Sequence, residues 1–121
     1  MDHNKTTDLL PKQFSALTQL LHYALPTTKE RIRARATSTM DELQAHYDAA
    51  RPYMEDVMTY LKGIPADEKK LNPQDLRLMH FAKGFMTVAM AIEQLHAPDE
   101  PMVWSYEDMT FEDQPPMALR A

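Results

Sequence analysis

The chain has no cysteine and only two glycines in 121 residues, and each scarcity removes whole classes of chemistry. Without cysteine there is no thiolate zinc site, no iron–sulfur ligation, no redox dithiol and no cysteine nucleophile. Gly63 and Gly84 stand 21 residues apart, so no dinucleotide fingerprint, phosphate loop or GxSxG elbow can be written. Long apolar runs are missing too. The least polar stretch, residues 84–92, falls far short of the roughly 20 apolar residues that a membrane span needs. The opening MDHNKTTDLL has neither the basic nor the apolar region of a secretion signal, and Met1-Asp2 without cysteine disfavours the common lipid anchors. The expectation is a soluble, cytoplasmic protein with no membrane partner.

A surplus of positive charge is also lacking. Residues 1–96 hold 12 basic and 12 acidic groups, whereas residues 97–121 hold six acids and one base, so the net charge of −5 sits in the tail. An even-handed body with an acidic end argues against nucleic-acid binding, which draws affinity from clustered Lys and Arg. One basic run, Lys29, Arg31, Arg33 and Arg35, stands at an expected helix start. Positive charge there opposes the helix dipole and calls for an acidic partner.

What is present is a single domain's worth of chain with 44% hydrophobic residues, enough for a self-sufficient core. Its spacing is helical, with proline and glycine as punctuation. A first helix is expected from Pro11 through Phe14, Leu17, Leu20, Leu21, Ala24 and Leu25, stopped by Pro26. Thr27 and Glu30 form a capping box for a second. Its apolar residues Ala36, Met40, Leu43, Tyr47, Ala50, Met54, Val57 and Leu61 alternate spacings of four and three, a heptad stripe. Gly63, free to turn left-handed, and Pro65 end it. This rod would run about 50 Å, with Pro52 either bending it or dividing it into two nearly collinear pieces. Asn72 and Pro73 open a third helix reaching about His96, with one stripe of Leu78, Phe81, Phe85, Val88, Ile92 and Leu95 and a second of Leu76, Met79, Met86 and Met90. The predicted fold is therefore all-α, an antiparallel bundle of three long helices over residues 1–96, the second bent near Pro52, with an ordered, extended tail over residues 97–121.

Glu93 and His96 have the Glu-x-x-His spacing of di-iron helices, but that centre needs the pair twice with further glutamates, and His22, His46 and His80 lie beside the apolar stripes. No metal or other cofactor is expected, and no catalytic residue is assigned. Ten methionines suit core and dimer filling, methionine being an adaptable filler of irregular surfaces. Helix 3, apolar on two sides, is either central in its own domain or shared with another chain; the expectation is a homodimer, with Leu43, Tyr47, Phe85, Met86 and Met90 as the dimer or ligand surface. The tail carries Trp104, Tyr106 and Phe111, unlike acidic tails that stay in solvent. With Arg31 and Arg35 these three make up the expected partner-binding set, for the bundle itself or for an unidentified protein.

Phe14-x-x-Leu17, Ala24-Leu25-Pro26-Thr27, Glu30-Arg31, Ser38-Thr39-Met40-Asp41-Glu42-Leu43 and Tyr47-Asp48 together resemble small uncharacterised helical proteins of bacteria. The likeness covers about the first two-thirds, continues through Arg51-Pro52 and Leu76-Arg77-Leu78, and implies a helical fold without an activity to transfer. The expected function is that of a non-catalytic accessory or interaction protein acting as a homodimer. A carrier or sensor of a small apolar ligand, held between helices 2 and 3, is the alternative.

Overall fold

The computed structural model describes residues 9–99, and every regular element among them is helical. An N-terminal 3-10 segment, Lys12–Tyr23, precedes four α-helices: α1 (Thr28–Ala36), α2 (Met40–Ala50), α3 (Met54–Lys62) and α4 (Pro73–Met90). A 3-10 turn, Arg51–Tyr53, joins α2 to α3, and a π turn, Ala91–Leu95, prolongs α4. The all-α expectation holds. The expectation of three long helices does not, for two local reasons.

The first lies in Lys12–Tyr23, where 3-10 turns replace the expected α-helix and Phe14 and Leu20 depart from helical angles (φ −113 and −112). A 3-10 helix has three residues per turn and stacks side chains at i and i+3. Phe14, Leu17, Leu20 and Tyr23 follow that spacing, and Phe14, Leu17 and Tyr23 are buried. On an α-helix the same four would fan over about 180°; here the tighter winding, with its breaks at Phe14 and Leu20, turns Phe14, Leu17 and Tyr23 into the core and leaves Leu20 half-buried. Leu10 is buried just before it, and Arg77 Nη1 donates to the Leu9 carbonyl at 2.8 Å.

The second reason is a run of hydroxyls. Thr37 Oγ1 donates to the Arg33 carbonyl at 2.9 Å and Ser38 Oγ to the Ala34 carbonyl at 2.7 Å, drawing side chains onto carbonyls at the end of α1. Thr39 then begins a second capping box: the Glu42 amide donates to Thr39 Oγ1 at 3.1 Å, and the Thr39 amide to Glu42 Oε1 at 2.8 Å. A rod cut here becomes α1 and α2. The first box, Thr27 with Glu30, forms as expected.

At Pro52 the backbone stays near right-handed helical angles, with Arg51 at φ −52, ψ −43 and Tyr53 at φ −93, ψ −10. Two helices joined by a 3-10 turn is therefore the alternative realised, and the heptad phase survives: Leu43, Ala50 and Val57, seven apart, are each 0% exposed. Gly63 does not turn left-handed, since its φ is −93, and its amide closes the helix on the Tyr60 carbonyl at 3.0 Å. The left-handed residue is His96, φ 54, which ends the π turn.

The helix α4 starts as expected, the Asp75 amide donating to Asn72 Oδ1 at 2.8 Å. It packs against α1, α2, α3 and the N-terminal segment, burying Leu78, Phe81, Ala82, Gly84 and Val88. Contact is tightest at Gly84, where a Cβ would run into the Tyr23 carbonyl oxygen and come within 2.6 Å of its carbon. Among the described residues, no helix is long and apolar enough to cross a membrane.

Candidate functional site

The side of α4 turned away from its neighbours carries Met86 and Met90, one helical turn apart, 51% and 45% exposed. Lys83, a turn earlier, extends to Glu68 at 2.9 Å. Methionine has three rotatable bonds and a polarisable sulfur, so it conforms to whatever covers it. Of the second apolar stripe of the sequence these two are exposed, while Leu76 and Met79 are half-buried.

The other expected surface residues divide. Leu43 is fully buried, packed with Tyr23, Val88 and Ala91, so it belongs to the core. Tyr47 and Phe85, both half-buried, stack with ring centroids 5.5 Å apart and planes 11° from parallel. The Arg51 guanidinium lies 5.9 Å from the Tyr47 ring centroid. Tyr47 also donates its hydroxyl to Glu93 on the π turn at 2.5 Å, and that hydrogen bond holds the phenol above its ordinary pKa. The pair links α2 to α4, and the Tyr47 hydroxyl extends the link to the π turn.

Arg31 and Arg35 are both buried. Because α1 ends at Ala36, Arg33 and Arg35 stand in its last turn, where positive charge favours the dipole instead of opposing it. Arg31 folds back over its own helix start, Nη1 donating to the Leu25 carbonyl at 2.6 Å and Nη2 to Thr28 Oγ1 at 3.1 Å. Arg35 reaches across to the end of α4. Its Nε donates to the Pro98 carbonyl at 2.9 Å, its Nη1 to the Thr87 carbonyl at 3.5 Å, and its Nη2 lies 3.9 Å from Asp99 Oδ1. The counter-charge sought for the basic run thus comes, at Arg35, from the first acid of the acidic segment.

An open cleft of about 520 Å³ lies between the N-terminal 3-10 segment and α2. Leu20, Tyr23, Ala45 and Ala49 form its apolar wall, and Gln19, His22, Glu42 and His46 supply its polar groups. His46 is 6% exposed, edge-on to Tyr23 with centroids 4.8 Å apart and tilted against Phe81 at 6.0 Å. Burial, helped by the neighbouring His22, pushes its pKa down to about 4, so the imidazole is neutral at pH 7. Its Nε2 has no hydrogen-bond partner among the described residues. The spacing held the signal for this burial: His46 is three residues after Leu43 and four before Ala50, hence on the buried side of α2. Below His46, the Tyr23 hydroxyl and Ser38 Oγ are 2.7 Å apart, a link that spacing alone does not announce.

Glu93 is engaged by Tyr47, and His96 terminates the π turn. Among the described residues no group of three or more His, Asp or Glu side chains is arranged to hold a metal ion. Trp104, Tyr106 and Phe111, the remaining members of the expected partner-binding set, lie outside the described residues, as does most of the tail over 97–121. Compared with family models, curated proteins and solved structures the chain matches none, and what stands of the resemblance drawn from its sequence is its coarse form, a small all-helical protein.

Proposed function

We propose that this is a non-catalytic interaction protein that works as a homodimer, its copies meeting on the outer side of α4. The observation that supports this is the pair Met86 and Met90, about half exposed in the last turns of a helix whose opposite side is buried. Covering two such side chains removes apolar area worth a few kcal/mol from water, and methionine suits a surface that must accommodate a partner. The finer likeness, to small helical proteins of bacteria, and a cytoplasmic setting belong to this proposal. Sedimentation of the purified protein at micromolar concentration tests it: a dimer is expected, and Met86→Glu with Met90→Glu gives a folded monomer. A monomeric unmodified protein overturns the reading. Leu43→Asp is the control, since a charge placed in the core unfolds the chain instead of merely separating copies.

The cleft at His46 supports a second reading, a carrier of a small apolar molecule with one hydrogen-bonding group. It lies between the N-terminal segment and α2, away from the expected position between helices 2 and 3. Native mass spectrometry of protein purified from its host separates the two readings, because a carrier retains an added small mass that His46→Leu removes.

A further inference from the structure

We propose that the C-terminal segment of the same chain, anchored by Trp104, lies over Met86 and Met90 and competes with the second copy for that surface. The inference shares its surface with the reading above but names a different occupant. It begins at Arg35, whose one guanidinium spans the Thr87 carbonyl in α4 and the Pro98 carbonyl beyond it, with Asp99 alongside. After the left-handed turn at His96, the chain has therefore come back beside the last turn of α4, the turn that carries Met86 and Met90.

This exit point borders the open surface. Met90 and Met86 lie about 60° and 100° around the helix from Thr87, both in the same sense, and about 6 Å apart along its axis. Trp104 follows Asp99 by five residues, a reach of up to about 17 Å. Proximity thus favours the chain's own segment over a second molecule, which must give up its free translation and rotation to bind. The chemistry matches as well. Trp104 stands among Met102, Tyr106, Met109 and Phe111, and aromatic rings take methionine sulfur as a favourable neighbour. Only Asp99 is needed as the electrostatic latch, because the docked face itself is apolar.

The test uses the full chain and its single tryptophan. Emission is expected to be blue-shifted, shielded from iodide, and unchanged on dilution to concentrations at which sedimentation shows monomer. Met86→Gln with Met90→Gln, both neutral so that repulsion of the acidic segment is not introduced, is expected to shift emission to that of water-exposed indole. Circular dichroism confirms that this variant is folded. Trp104→Ser is expected to tighten the dimer by about fivefold or more, the lower end of ordinary coupling between competing contacts. Water-like emission in the unmodified monomer, or emission that the double substitution leaves in place, overturns the proposal. A blue shift lost on dilution assigns the cover to a second copy and overturns it too. If no dimer forms while the emission behaves as expected, the homodimer falls and the covering segment stands.

Discussion

Along one side α4 sets Leu78, Phe81 and Val88 into the core with at most 1% of each exposed; along the other it leaves Met86 and Met90 about half uncovered. Both sides are apolar in the sequence and both follow helical spacing, so periodicity alone ranks them equally. The side chains differ in kind. The inner row is branched or aromatic and meets a fixed surface, with Gly84 admitting the Tyr23 backbone where even a methyl group has no room. The outer row is unbranched and suited to a surface that comes and goes. A close-packed interior punishes changes of one methylene, whereas an open row tolerates them until its partner arrives, and substitutions on the two sides should separate accordingly.

The largest effect is expected at Gly84. Gly84→Leu forces the Tyr23 backbone away from α4, and with it the ring whose hydroxyl meets Ser38 at 2.7 Å. Overpacking against backbone costs more than against a side chain tip, which can rotate away. A loss of about 3 kcal/mol or more is expected, read as a fall in denaturation midpoint at unchanged slope. Retention of the unmodified midpoint would mean that the N-terminal segment does not lie against α4 as described.

Next in size is an acid-dependent loss centred on His46. The native imidazole stays neutral down to about pH 4, whereas the unfolded chain takes up a proton near 6.5. Between those values the unfolded state binds more protons, so stability falls as pH falls, and above 6.5 the group contributes no slope. The full loss, complete below pH 4, is about 3 kcal/mol. His46→Leu is expected to flatten the dependence of the melting temperature on pH across this window. His80, its pKa also lowered by burial, leaves a shallower slope of the same sign. An unaltered profile in the variant would place the acid sensitivity elsewhere.

How much of this was legible follows from how local each signal is. Caps and phase are written in short stretches: Thr27 with Glu30, Asn72 before Pro73, and the seven-residue recurrence of Leu43, Ala50 and Val57 all read directly. The break at Thr39 carried an equally short signal, Thr39 with Glu42, but the heptad stripe runs through it and hides it. The row of Phe14, Leu17, Leu20 and Tyr23 recurs every three residues, but Leu21, Ala24 and Leu25 beside it complete a period of 3.6 and hide the tighter one, and the close approach of the Tyr23 backbone to Gly84 lies far away in sequence. Arg35 is the clearest case of partial legibility. Its acidic neighbour was expected for a dipole reason that does not hold in the last turn of α1, while its burial and its bond to Thr87 depend on where α1 stops. At the methionines, composition indicated an adaptable surface and the fold indicated which two remain open.

The smallest effect on stability is expected at Met86, and it sharpens the contrast most. Met86→Gln keeps side-chain length and helix propensity and alters a position that is 51% exposed, so no cavity opens and no buried group loses a partner. Surface changes of this kind ordinarily fall within about 0.5 kcal/mol. Cover by the C-terminal segment adds the partial burial of one thioether, which raises the expected cost to no more than about 1 kcal/mol. The equivalent change two residues on, at the inward-facing Val88, Val88→Gln, places an amide among Tyr23, Leu43 and Ala91, where both of its polar atoms lack partners and the loss is several times larger. Paired denaturation curves of the two variants, recorded at concentrations where the chain is monomeric, give the comparison directly. If Met86→Gln costs as much as Val88→Gln, the outer row is already packed within the monomer as firmly as the core, and a face that waits for its partner is the wrong description of it.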